Sequence, residues 1–88
     1  MQLNGIYQIK SASPEKNKRR EGRYVIFPDE VKKGERALWF YVHAGYDHIG
    51  EDFIGKHVKT SLVQDIEYVG HTVVIYTMNS EYIFVKVE

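Results

Sequence analysis

The sequence predicts an all-β protein that folds as one small barrel, and the last third of the chain gives the clearest support. Residues 58–88 alternate along the chain with the period of two that strands require. A break at residues 78–80 divides the run and is typical of a tight turn. Aromatic residues make up 14% of the chain, which favours a thin β-core filled by large rings.

The chain is predicted to contain six strands, at residues 4–10, 23–27, 37–43, 63–68, 72–77 and 81–87. The polar run at 11–22 contains proline and ends in glycine, so it is predicted to be an exposed loop. Pro28 ends the second strand, since it has no N–H to give to a ladder. A charged connection at 29–36 leads to a nearly all-apolar third strand. Residues 44–56 follow neither period and are predicted to form a long ordered loop.

Five to six short strands with a long polar loop after the first are typical of a small, strongly bent barrel. We expect an SH3-like barrel of antiparallel strands, with an OB-like barrel as the alternative. The chain has 88 residues, enough for one domain and too few for two. Residues 1–88 are therefore predicted to form a single domain.

Composition excludes some classes of function. The chain has no cysteine, which rules out disulfides and thiol chemistry and favours a reducing compartment. The first ten residues lack the basic start and long apolar run of a signal peptide. No stretch approaches the ~20 apolar residues that a membrane helix needs. We expect a cytoplasmic protein that does not bind a membrane.

The charges are unevenly distributed although the net charge is zero. Residues 1–36 hold nine Lys and Arg against five Asp and Glu, whereas residues 37–88 hold three against seven. This asymmetry suits a phosphate-bearing ligand, an acidic partner or head-to-tail self-association. It does not favour tight non-specific DNA binding, which depends on many phosphate contacts.

The closing third also carries a pattern of hydroxyl, glycine and amide residues, Thr60-Ser61-x-Val63, Gly70 and Thr77-x-Asn79-Ser80-x-Tyr82. The pattern resembles the ending of many short SH3-like β-proteins of bacteria and their phages. Its elements have a structural explanation, because hydroxyls satisfy backbone groups at strand ends and Asn-Ser suits a tight turn. The resemblance implies a compact accessory protein of phage or prophage origin, and it carries over no active site.

The polar run at 11–22 and the residue that follows it supply the first candidate site. Five cations fall within eight residues, Lys16, Lys18, Arg19, Arg20 and Arg23. Arginine forks grip phosphate oxygens and lysines add point charges. Tyr24 and Tyr7, near the two ends of the run, offer faces on which a base can stack. The alternative is a solvated loop whose charges keep the protein soluble and its strand edges unpaired.

A histidine-rich and acidic segment lies between the third and fourth predicted strands. His43, His48 and Asp52 are the residues that an acid–base or metal site would use there. Their spacing matches no zinc pattern, and no nucleophile elbow or phosphate-binding glycine loop is present elsewhere. We expect neither a metal, nor a cofactor, nor an enzyme.

The third strand is the second candidate for a binding surface. Leu38, Phe40 and Val42 share one face, which we assign to the core. Trp39 and Tyr41 share the other, and they either pack under the long loop or serve as partner anchors, a role that Trp and Tyr often fill. With Tyr46 and Phe53 they form the predicted partner interface.

The sequence therefore predicts a non-enzymatic binding module. The favoured ligand bears phosphate, as a nucleotide or a nucleic acid, and contacts the basic run. The alternative is a protein-binding inhibitor or assembly factor that uses the exposed aromatic residues. A phage anti-defence role is compatible with either function. A homo-oligomer is also compatible with the apolar third strand.

Overall fold

The computed structural model describes residues 2–43 and 54–87, and within them the chain is an all-β barrel. The six described strands are β1 (Tyr7–Ser13), β2 (Tyr24–Ile26), β3 (Arg36–Val42), β4 (His57–Val69), β5 (Thr72–Thr77) and β6 (Glu81–Lys86). One 3-10 helix, Glu15–Arg20, lies between β1 and β2. No helix in the described part of the chain is long and apolar enough to cross a membrane.

Each strand pairs antiparallel with its neighbour in the chain, and β1 pairs with β6 to close the barrel. The prediction of a small all-β barrel is confirmed. An OB-like barrel is a partly open Greek key, so it does not fit this order. Two ends follow from the topology. The helix end carries the 3-10 helix and the β5–β6 turn, and the hairpin end carries the β4–β5 turn.

The core consists of aromatic rings surrounded by aliphatic side chains. Trp39 is fully buried and makes edge-to-face contacts with Tyr82 at 4.9 Å and Phe84 at 5.2 Å between ring centroids. Phe27 packs against Phe84 at 5.1 Å and Tyr7 at 5.6 Å in the same manner. Such pairs add stability beyond the area that they bury. The heavy aromatic content of the sequence is therefore used mainly to fill the barrel.

The orientation of β3 differs from the prediction. Ala37, Trp39 and Tyr41 point into the barrel and are buried, whereas Leu38, Phe40 and Val42 are half-buried on its outer face. Alternation gives two faces but does not say which one is internal, and both faces of this strand are apolar. The inward face carries the largest ring in the chain, and the core buries that ring completely.

The polar run at 11–22 is more ordered than predicted. Its first three residues continue β1 and pair with β6, after a register shift between Ile9 and Ser11. The 3-10 helix follows, and the chain then turns at Gly22, which has φ +84° and donates its N–H to the Ile9 carbonyl at 2.7 Å. A positive φ is inexpensive only for glycine. The turn brings the chain back into β2 and leaves the helix across the end of the barrel.

Strand β4 begins six residues earlier than predicted and has 13 residues. Its first part pairs with β3, from Phe40 opposite His57, and its last part pairs with β5, from Val63 opposite Thr77. One long strand therefore joins both halves of the barrel, and irregular register on both sides bends it. Of the predicted loop at 44–56, the structure describes residues 54–56, and residues 44–53 lie outside the described residues.

Candidate functional site

A polar pocket of about 180 Å³ opens at the helix end, where β4 continues past the end of β5. The pairing of these two strands begins at Val63. The preceding residues of β4 still pair with β3 on one edge, and on the other edge they face the β5–β6 turn and the 3-10 helix. The turn is tied to β4 by two hydrogen bonds, from Met78 N–H to the Leu62 carbonyl at 3.0 Å and from Asn79 N–H to Ser61 Oγ at 3.2 Å. We call this space the barrel-end pocket.

Three segments of the chain line the barrel-end pocket. The lining residues are Lys16, Asn17 and Arg20 from the helix, Val58, Lys59, Thr60 and Ser61 from β4, and Thr77, Asn79, Ser80 and Tyr82 from the β5–β6 region. Among these described residues there are three cations and no aspartate or glutamate. Nearly all the others carry a hydroxyl or a carboxamide. The lining therefore favours a negatively charged, hydrogen-bonding ligand.

Arg20 is held in a fixed orientation at this site. Its Nη1 donates to Asn17 Oδ1 at 3.1 Å and to the Tyr82 hydroxyl at 2.6 Å. No described residue accepts a hydrogen bond from its Nε or Nη2. A guanidinium anchored by one nitrogen keeps the donors of the other two for a ligand and loses little further entropy on binding.

Asn17 connects the helix to the rest of the barrel. Only 3% of its surface is exposed. Its Nδ2 donates to the Ser13 carbonyl at 3.0 Å and to Ser80 Oγ at 2.9 Å, while its Oδ1 accepts from Arg20. A buried carboxamide with this many partners fixes the helix against the β5–β6 turn. Asn17 therefore positions the arginine without needing to touch a ligand.

Lys16 and Lys59 supply the remaining positive charge. Both are exposed, and neither forms an ion pair with any residue of the described ranges. They come from two different segments of the lining of the barrel-end pocket, one from the helix and one from β4. Flexible lysine stems of this kind can follow an anion that enters between them.

The hydroxyl and amide pattern of the closing third meets at this pocket. Thr77 Oγ1 accepts from the Ser80 N–H at 3.0 Å and donates to the Ser80 carbonyl at 3.2 Å, which closes the turn. Thr60 Oγ1 accepts from the Ala37 N–H at 2.9 Å. The structural explanation given for these residues is confirmed. What the sequence did not indicate is that two segments 17 residues apart would line one pocket with the helix.

The six residues predicted to bind phosphate divide into two groups. Lys16 and Arg20 line the barrel-end pocket. Lys18 instead pairs with Glu21 at 3.1 Å, and Arg19 Nη1 donates to the Lys16 carbonyl at 2.5 Å. These contacts turn two of the cations toward the helix itself.

Arg23 and Tyr24 also lie away from the lining of the barrel-end pocket. Arg23 Nε donates to the Arg19 carbonyl at 2.8 Å, which closes the C-terminal side of the helix. Tyr24 is half-buried on β2, opposite Gln8 of β1 and Val42 of β3. The predicted basic loop is therefore a short helix with its cations pointing in several directions, and only part of it contributes to one site.

The prediction of Trp39 and Tyr41 as partner anchors is wrong, because both side chains are in the core. Burial raises the pKa of Tyr41, and Arg20 and Arg23 nearby act in the opposite direction. Neither ring offers a surface to a partner in this structure. Tyr46 and Phe53, the other two residues of the predicted interface, lie outside the described residues.

The residues of the predicted acid–base or metal site are described only in part. His43 is exposed at the end of β3, and His48 and Asp52 lie outside the described residues. Within residues 2–43 and 54–87, no three His, Cys, Asp or Glu side chains are placed to hold a metal ion. A larger surface depression of about 500 Å³ mixes both signs of charge, with Asp29, Glu30, Lys32, Glu35, Arg36, Leu38 and Lys59 around it.

Comparisons with protein-family models, with curated proteins and with solved structures returned no match. The geometry and charge of the barrel-end pocket are therefore the features that indicate a function.

Proposed function

We propose that this protein is a binding module for a phosphate-bearing ligand, a nucleotide or a nucleic acid, and that a phosphate group occupies the barrel-end pocket. The observation that carries the proposal is the lining, in which Lys16, Arg20 and Lys59 converge with hydroxyl and amide groups and without a carboxylate. Charge-assisted hydrogen bonds from arginine and lysine are among the strongest contacts that a phosphate can make.

The size of the pocket supports a group rather than a whole ligand. Pockets that enclose drug-sized molecules usually measure about 300–1,000 Å³, whereas this one measures about 180 Å³. A phosphate fits within it while the remainder of the ligand lies on the neighbouring surface. The Tyr82 hydroxyl accepts from Arg20, so its own proton is available to a phosphate oxygen.

Binding without catalysis is part of the proposal. The described lining contains no histidine, aspartate or glutamate that could act as a general base beside a bound phosphate. The hydroxyls of Thr60 and Thr77 are already engaged with backbone groups, which suits a structural role.

The test compares charge-removing variants inside and outside the pocket. Lys16→Gln and Lys59→Gln change exposed side chains, so we expect both proteins to fold normally. Each should weaken binding of a 5′-phosphorylated single-stranded oligonucleotide. Each should also lower the slope of log Kd against log salt concentration by about one, the change expected when one phosphate contact is lost. Fluorescence anisotropy over a range of salt concentrations measures both quantities.

Two controls keep this test specific. Lys10→Gln removes the same charge from an exposed position outside the pocket lining, and Arg19→Gln removes a charge from the same helix. Both should bind more tightly than the pocket variants. Equal losses in all four proteins would mean that diffuse charge attracts the ligand, and the pocket proposal would be rejected.

Protein binding is the second candidate function, and an exposed apolar surface favours it. At the hairpin end, Val69 is 74% exposed and Tyr68 is 50% exposed. An inhibitor or assembly factor that used these residues would form a complex that survives high salt. The predicted phage origin and homo-oligomer stay predictions.

A further inference from the structure

An apolar and aromatic surface adjoins the barrel-end pocket on the outer wall of the barrel. Because Trp39 and Tyr41 point inward, the intervening residues of β3 face outward. Phe40 is opposite Ile26 of β2 and His57 of β4, and the outward Leu38 is opposite Lys59. This outer strip therefore consists of apolar side chains on β2 and β3, with cationic or ionisable side chains on β4.

The centre of the strip is an aromatic pair. The rings of Phe40 and His57 lie 5.6 Å apart between centroids with an interplanar angle of 49°. His57 is exposed and Phe40 is half-buried, so part of the pair remains in contact with solvent. Aromatic side chains that present ring surface in this way bind bases of any sequence by stacking.

Lys59 connects the aromatic pair to the barrel-end pocket. It is two residues beyond His57 on β4 and lies on the same face, about 7 Å along the strand. It also lines the barrel-end pocket. A nucleotide whose phosphate contacts Lys59 therefore has its base within reach of Phe40 and His57.

The charge of the surrounding wall fits the same ligand. No aspartate or glutamate lies in β2, in β3 or in the first five residues of β4. The described acids Asp29, Glu30 and Glu35 of the β2–β3 connection lie in the mixed-charge depression that Leu38 and Lys59 also border, and the lining of that depression does not include Phe40 or His57. The part of the strip around Phe40 and His57 thus combines aromatic surface with the nearby positive charge of Lys59, the combination that single-stranded nucleic acids bind.

We propose that Phe40 and His57 form a base-stacking subsite and that the ligand is single-stranded nucleic acid with one phosphate in the barrel-end pocket. The inference rests on the proposed function, because Lys59 links the two subsites. A duplex would not fit, since its bases are already stacked and paired. The strip continues along β3 from Leu38 to Val42, about 13 Å, which gives room for more than one base.

The experiment separates base contacts from phosphate contacts with two probes of equal charge. One is a 5′-phosphorylated thymidine oligomer about twelve nucleotides long, and the other has the same backbone without bases. Wild-type protein should bind the first about tenfold more tightly than the second, the effect expected of one or two stacked bases. Fluorescence anisotropy at one fixed salt concentration gives both affinities.

Phe40→Leu keeps an apolar side chain at the surface but removes the ring. It should abolish the preference for the base-containing probe and leave the affinity for the abasic probe unchanged. Tyr76→Leu is the matched control, an aromatic residue that is half-buried on β5 in another wall of the barrel. It should retain the preference.

The results distinguish a failure of the stacking subsite from a failure of the proposed function. If both probes bind equally to wild-type protein and Lys59→Gln weakens both, the pocket is supported and the stacking subsite is rejected. If the preference persists in Phe40→Leu, or is lost equally in Tyr76→Leu, the bases contact another surface and this inference is wrong. If neither probe binds wild-type protein, both the stacking subsite and the proposed function are rejected.

Discussion

The two ends of the barrel are built from different kinds of residue. At the helix end, side chains from three segments form a network around Asn17, Arg20 and Tyr82. At the hairpin end, β4 and β5 extend to a two-residue turn and leave Val69 and Tyr68 exposed. The contrast shows that polar groups gather where strands separate and a short helix fills the gap, whereas a continuous ladder needs no such network.

This contrast predicts where stability resides, and the largest effect is expected in the core beneath the helix end. Trp39→Ala removes a fully buried ring that contacts Phe27, Tyr82 and Phe84. The free energy of unfolding should fall by about 3–5 kcal/mol, the usual range for an aromatic residue truncated in a core. Urea denaturation followed by circular dichroism measures the change.

Val69→Ser is the matched change at the hairpin end. Its side chain is 74% exposed, so the free energy of unfolding should change by no more than about 0.5 kcal/mol. Similar losses in the two variants would contradict the assignment of Trp39 to the core and of Val69 to the surface.

An intermediate effect is expected from the network itself. Asn17→Ala removes the amide that bonds to Ser13 and Ser80, and it leaves the Arg20 Nη1 with one acceptor. We expect a loss of about 1–3 kcal/mol, because the buried partners lose their hydrogen bonds. Ligand affinity should fall as well, since Arg20 loses part of its positioning.

Asn79→Ala provides the control within the same pocket. Asn79 is exposed, and its contact with Ser61 uses the backbone N–H, which alanine keeps. Its stability should match that of wild-type protein in the same denaturation experiment. An equal loss in both variants would show that the turn, and not the buried amide, holds the helix end together.

The same contrast explains what could be predicted from sequence. Strand alternation identified the barrel, because a ladder imposes its period locally on β5 and β6. Alternation could not decide which face of β3 is internal. The first half of β4 was not predicted as a strand, because polar residues such as Lys59 and Thr60 interrupt its apolar pattern. The charge of the helix indicated Lys16 and Arg20. Lys59 and Tyr82 could not be assigned to the site, since only closure of the barrel brings them to the helix.

The smallest effect is a pH dependence at the helix end. Glu21 Oε2 accepts from the Ala12 N–H at 2.9 Å and from Lys18 Nζ at 3.1 Å. The backbone hydrogen bond, and then the lysine, lower the pKa of Glu21 below its ordinary value of 4.5. A carboxylate with a lowered pKa in the folded state stabilises the fold above its unfolded pKa, and this contribution is lost as pH falls through the folded value.

Stability should therefore decline as the pH is lowered below about 4.5, and Glu21→Gln should make that decline shallower. Glu15→Gln is the control, because Glu15 lies in the first turn of the same helix and, within residues 2–43 and 54–87, forms no ion pair like that between Glu21 and Lys18. Thermal unfolding between neutral and acidic pH compares the three proteins. If Glu15→Gln and Glu21→Gln changed the acid response equally, the effect would come from the net charge of the helix, and the link from Glu21 to β1 would have no part in it.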